Sequence, residues 1–209
     1  MSAATLLLTT LLLPLLGAVG IIAARHKPNL REGITLVTAS LVAILVIIIA
    51  NRFLNGEEFA LVVAEPIPGI TLAFKIEALG MIFALVAGLL WVVTSIYAIG
   101  YMRIHKETNQ TRFFAAFAVA ISCALGVAFS DNLFTLFLFY ELLTLSTYPL
   151  VTHSGTAEAK KGGRIYLGIL LGTSIGFFLL GILITWFVAG TVTFQEGGVL
   201  AGKLDPAWA

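Results

Sequence analysis

Charged residues are scarce in this 209-residue sequence: Asp, Glu, Lys and Arg make up 11% of it, against 59% hydrophobic residues and a mean hydropathy of +1.03. Soluble domains use about 25% charged residues, so a water-exposed globule is excluded and an integral membrane protein is implied. Cysteine is nearly missing. Cys123 stands alone, which rules out an intrachain disulfide and any cysteine-based metal or redox motif within this chain. No P-loop, H-E-x-x-H, G-x-S-x-G or dinucleotide fingerprint occurs, so no catalytic centre, bound metal or cofactor is expected of this chain. A formal net charge of +1 offers no electrostatic footprint for nucleic acid.

What is abundant is long apolar runs. Six of them, at roughly 3–24, 33–51, 77–101, 113–130, 132–151 and 164–189, approach or exceed the roughly 20 residues that a helix needs to cross about 30 Å of hydrocarbon. The alternating ten-residue pattern of a transmembrane barrel is absent. The expected fold is therefore all-α, with about six transmembrane helices. Met1 to Thr5 carries no basic residue, and Arg25 and Lys27 follow the first run rather than precede it. That run is read as an uncleaved span with its amino end outside.

Charge placement supports this count. Arg25, Lys27 and Arg31 fall in the first loop, Arg103, Lys106 and Arg112 in the third, and Lys160, Lys161 and Arg164 in the fifth. Nine of the twelve basic residues thus occupy alternate loops, which the positive-inside rule assigns to the cytoplasm. Between the second and third spans, FALVVAEPIPGITLAFKI is too short and too broken by Pro66, Pro68 and Gly69 to cross. Two β-prone runs about a Pro-Gly pair predict a small hairpin. The expected organisation is helices one and two in 1–58, an external hairpin-like loop over 59–76, helices three to six in 77–189, and an external loop or tail over 190–209.

The fifth run, NLFTLFLFYELLTLSTYPLV, carries one formal charge, Glu141, close to its middle. A charge at mid-bilayer costs about 3 kcal/mol even on a lenient insertion scale. Glu141 is accordingly expected to face protein or water, or to be protonated, and to handle a proton or ion; the plainer reading is a carboxyl satisfied by a neighbouring helix for packing. Thr144 and Tyr148 follow at i+3 and i+7 on the same side, and His153 lies beyond them at the helix end. Together these form a candidate polar path. Pro149 withholds a hydrogen bond from the Leu145 carbonyl. Gly168, Gly172 and Gly176 in the sixth run, and Gly80 and Gly88 in the third, have the spacing of close helix packing.

Three stretches resemble the antiporter-like membrane subunits shared by respiratory complex I, Mrp-type cation/proton antiporters and membrane-bound hydrogenases. They are ITLAFKIEALGMIFALVAGLLWVVTSIYAIGYM (70–102), with its Tyr-x-x-Gly-Tyr-Met ending; RFFAAFAVAISCALGVAFSDNLFTLFLFYELLTLSTYPLV (112–151); and EAKKGGRIYLG (158–168). The resemblance implies a partial antiporter-like fold, its amino-terminal six helices, in a bacterial or archaeal cell (inner) membrane. It implies translocation of H⁺, with Na⁺ or K⁺ as the exchanged ion in the antiporters, by a complex of several membrane subunits. The carboxylate matching Glu141 pairs, in the family, with a Lys on the seventh helix, which this sequence does not reach. Glu77 stands where Asp is commoner in the family, and Tyr140 where Trp is. Two functions remain open: a proton-translocating or cation/proton antiporter subunit, and a non-transporting structural or assembly subunit.

Overall fold

The structure is a computed structural model, and residues 1–203 are described. Six helices are long and apolar enough to cross a membrane: α1 (Ala3–Ala23), α2 (Pro28–Leu54), α3 (Ala78–Ile104), α4 (Gln110–Ala128), α5 (Leu133–Val151) and α6 (Ala157–Ala189). Their number agrees with the six apolar runs, but two of them begin earlier than hydropathy suggests. Helix α2 starts at Pro28, whose missing N–H costs nothing in a first turn. Helix α6 starts at Ala157, where the Thr156 hydroxyl accepts from the Ala159 N–H and Glu158 sits in the first turn. Polar first turns lower local hydropathy without weakening the helix, so the expected starts at 33 and 164 were late. They leave Arg31, Lys160, Lys161 and Arg164 inside helices, near their ends.

Helices α1 to α5 form the bundle. Its core is built from Leu7 and Ile21 of α1, Val42 and Val46 of α2, Trp91 of α3 and Leu125 of α4, all essentially inaccessible. Small residues bring backbones together. A Cβ on Gly17 would lie 2.5 Å from the Thr38 side chain, and one on Gly80 would lie 2.1 Å from the backbone oxygen of Ala128. Gly88 is in ordinary contact with Ala43 and Val46. Because a backbone carbonyl cannot rotate aside, Gly80→Ala is expected to cost about 1–3 kcal/mol. Gly100→Ala, with open space around it, should change little. Thermal unfolding of the two variants in one detergent checks the difference.

Strands β1 (Ala60–Ile67) and β2 (Ile70–Lys75) pair antiparallel, from Ala60 opposite Lys75 to Ile67 opposite Ile70. The turn rests on Gly69 at φ +83°, a conformation that glycine adopts without strain. The hairpin is tied to the bundle through α5. The Asn132 side-chain amide donates to the Thr71 carbonyl at 2.9 Å while its oxygen caps the Thr135 N–H at 2.8 Å, and the Thr135 hydroxyl accepts from Ala73 N–H at 3.0 Å. These bonds set the starting turn of α5, and with it the rotation of every α5 side chain. After α6 the chain returns to the same end, where Leu133 N–H donates to the Val192 carbonyl. Of the tail expected over 190–209, residues 204–209 lie outside the described residues.

Helix α6 is the least covered. Its contacts run along α5, with Gly163 against Thr152 and Tyr148 and Phe178 edge-on to Phe137 and Tyr140. Over Ser174–Leu179 it widens into a π-helical turn. Phe177 and Phe187 remain 78% and 90% exposed, so most of this helix faces away from the other five.

Candidate functional site

Glu141 lies in the third turn of α5, next to Tyr140, whose ring meets Phe178 in the π-helical turn of α6. Both carboxylate oxygens of Glu141 are buried, and neither has a hydrogen-bond partner among the described residues. The partner that a packing role requires is thus not among them. Native interiors rarely leave a polar group in this state, and a carboxylate pays more for it than a neutral group.

The other residues expected to share this face occupy it without bonding to Glu141. Thr144 is buried, and its carbonyl accepts from the Thr147 hydroxyl at 2.9 Å. The Ser146 hydroxyl turns back to the Leu143 carbonyl at 2.8 Å. Tyr148 packs its ring against α6 at Gly163, and its carbonyl takes the Thr152 hydroxyl at 2.9 Å. Three hydroxyl side chains bonded to local carbonyls surround Pro149, whose ring leaves the Leu145 carbonyl without its helical donor. Backbone polarity is therefore redistributed over the last two turns of α5.

His153 lies just past the end of α5, about 18 Å of helical rise from Glu141. Both its ring nitrogens are buried and unbonded, its ring stands edge-on to Phe113, and its Nε2 is 3.7 Å from the Glu107 carboxylate. Arg112 holds this helix end by donating to the carbonyls of Thr152 and His153, each at 3.1 Å. Hence the structure separates the four expected residues into a buried acid in mid-helix, two residues packed locally, and an imidazole beside Glu107. Glu107 escaped sequence reasoning because it sits in a loop that was read for its basic residues alone.

The glycines divide likewise. Gly80 and Gly88 pack against α4 and α2, whereas a Cβ on Gly168, Gly172 or Gly176 would meet nothing within 4 Å. Gly126 was missed: its Cβ would lie 2.0 Å from the Phe139 ring. That glycine lets α4 and α5 close on the turn before Glu141.

A second polar centre, also missed, joins α2, α3 and α4 at the end opposite the hairpin. Glu32, 5% exposed, receives Arg31 at 3.4 Å and both the Nε and Nη2 of Arg103. Arg31, equally buried, also donates to Gln110 at 2.6 Å and Thr111 at 3.2 Å, and lies over the Phe114 ring. Within α3, Trp91 Nε1 and Ser95 Oγ are buried without partners among the described residues. At the hairpin end, burial pushes the Asp131 carboxyl upward, partly offset by Lys75.

Residues 68–114 match the family described as NADH-ubiquinone oxidoreductase (complex I), chain 5 N-terminus, and residues 130–203 match the NADH:quinone oxidoreductase/Mrp antiporter transmembrane family. Among curated proteins, antiporter subunit mnhA2 of Staphylococcus haemolyticus is 26% identical over 134 residues, 63% of this chain and 16% of that protein. Its namesake in Staphylococcus aureus is 23% identical over 136 residues, 65% of this chain and again 16% of the relative. The match thus spans about one sixth of either relative's length. Among solved structures, the Mrp complex from Dietzia sp. DQ12-45-1b aligns with a TM-score of 0.75 at 21% identity, over 92% of this chain and 36% of that one. The membrane-bound sulfane sulfur reductase, an archaeal respiratory membrane complex, aligns at 0.74 and 20%, over 90% and 28%. At such identities the structural likeness speaks for the fold.

Proposed function

We propose that this chain, which belongs to the antiporter-like membrane subunits of Mrp antiporters and NADH:quinone oxidoreductases, takes part in moving protons across a membrane as one subunit of a larger complex, with Glu141 binding and releasing the proton. The observation that carries this reading is the Glu141 carboxyl, buried in the middle of a spanning helix and unpartnered among the described residues. Such a group has two accessible states. One holds a proton on the carboxyl, and the other, paired with an approaching cation, has released it. Alternating between them moves a proton. The basic residues of the helices lie near helix ends, so the approaching cation belongs to another helix, on a further segment or a neighbouring subunit. Two relatives are named as antiporter subunits and one structural neighbour is an Mrp complex; exchange of H⁺ for Na⁺ or K⁺ is the form of transport that fits them.

His153 and Glu107 offer the proton a relay at the basic end, which faces the cytoplasm in this reading, leaving the hairpin and both termini outside. Tyr148 lies between that relay and Glu141, with water completing the path. The exposed faces of α6 pack against partner subunits or lipid. The competing role, a structural or assembly subunit, draws on the same exposed α6 and its unused Gly168, Gly172 and Gly176. Ion-driven proton flux in everted membrane vesicles separates the two when wild type is compared with Glu141→Gln in an assembled complex. Lost flux supports translocation, and unchanged flux overturns it.

A further inference from the structure

At the basic end, a cavity of about 870 Å³ opens between the end of α1, the start of α2 and the start of α4. Its mouth is cationic. Arg25, Arg31 and Arg112 line it, with His26 beside Arg25, and the one carboxylate among the lining residues is Glu107. Glu32 balances the charge of Arg31 and of Arg103, which leaves Arg25 and Arg112 as the lining cations without an ion pair among the described residues. Two helix starts border the same space, through Pro28 and through Asn109 to Thr111. Neither Lys27 nor Asn109 supplies a side-chain cap, so first-turn N–H groups of both helices lack that partner. The dipoles of α2 and α4 add positive potential at their starts. Arg31 is 5% exposed, and its Nε has no partner among the described residues although the rest of its guanidinium is bonded.

Deeper along the helices the lining changes character. Ala18 and Ile22 of α1 face Ala115, Ala116 and Val119 of α4, one to two turns below the charges. A site for a small soluble anion has no use for this apolar floor. A cationic mouth above an apolar slot, at the end of a membrane bundle, has the profile of a lipid: phosphate above, acyl chain below. The volume falls in the range of small-molecule sites, about 300–1,000 Å³. We propose that this cavity binds an anionic phospholipid, with its phosphate held by Arg25, Arg112, the unbonded Nε of Arg31 and the α2 and α4 helix starts, and its first methylenes lying between α1 and α4. The assignment is independent of the proton role of Glu141.

The test uses the assembled complex in native-like vesicles and a photo-crosslinkable phosphatidylglycerol, with adducts mapped by peptide mass spectrometry. Adducts are expected in α1 near Ile22 and in α4 near Ala116. Unlabelled phosphatidylglycerol should compete them away far better than phosphatidylcholine. Arg25→Gln removes an exposed cation and should lower labelling about fivefold, the equivalent of roughly 1 kcal/mol per surface cation. Lys160→Gln, outside the cavity, should not change it. Competition by inorganic phosphate equal to that by phosphatidylglycerol would make this a free-phosphate site and overturn the lipid assignment. Absent α1 and α4 adducts, equal competition by phosphatidylcholine, or labelling indifferent to Arg25→Gln would overturn it too.

Discussion

Glu141→Gln is expected to lower ion-driven proton flux by about tenfold or more while leaving the complex assembled and no less heat-stable. The two halves of this expectation have one cause. Both Glu141 oxygens are buried without partners among the described residues, so within them the carboxyl makes no bond that a glutamine of nearly the same shape would lose. Removing a group that is costly to bury is neutral or stabilising. Transport, by contrast, needs a group that can hold a proton and give it up, which an amide cannot do. Glu141→Asp keeps the chemistry but withdraws the carboxyl by one methylene, and flux between the two is expected. Measuring quinacrine-type fluorescence quenching in everted vesicles beside thermal unfolding of the purified complex checks both halves. A variant that loses stability and flux together would show that the carboxyl has a structural partner and would count against the proton role.

The opposite pattern is expected of Glu32→Gln, which should destabilise the protein by about 3 kcal/mol or more. Here a charge is buried with its partner. The Arg31 and Glu32 side chains are each 6% exposed, and deleting the anion leaves a guanidinium enclosed without its counter-charge. Arg103, half exposed, would lose its ion pair and hold α2 through Asn29 and an uncharged partner. Removing both members of the pair should hurt less than removing one, so Arg31→Met/Glu32→Met is expected to be more stable than Glu32→Gln. The midpoint of heat-induced aggregation in a single detergent, followed by size-exclusion chromatography, ranks the three proteins. If Glu32→Gln unfolds at the wild-type temperature, the pair is not a clamp between α2, α3 and α4.

These predictions differ in how far sequence could anticipate them. Glu141 was conspicuous because a lone acid interrupts a spanning run, and the cost of that placement needs no structure to recognise. Glu32 was inconspicuous because it follows Arg31 in what reads as a basic loop. Its importance arises only when α2 starts at Pro28 and brings Arg31 beside Gln110 and Thr111, about eighty residues away. Glu107 was hidden in the same way until α5 ended beside it. Among the glycines, the spacing of Gly168, Gly172 and Gly176 was as regular as any packing motif, yet among the described residues nothing packs against them. Gly126, preceded at four-residue steps by Ser122 and Ala118 rather than by glycines, makes one of the tightest approaches.

By itself the sequence determined the class, the number of spanning helices, the hairpin about Gly69 and the placing of one acid in mid-helix. Each of these follows from quantities that accumulate along the chain: apolar length against bilayer thickness, turn residues between β-prone runs, and the cost of a charge in hydrocarbon. The tertiary structure decided which polar groups have partners, which glycines are used and where the cationic cavity opens. Those depend on how each helix is rotated about its axis. In a soluble bundle an amphipathic pattern would report that rotation, but lipid is as apolar as the core, so the faces of a membrane helix look alike in sequence. Rotation was set instead by bonds between distant residues, such as Asn132 to Thr71 and Arg31 to Gln110, which exist only once the helices have packed.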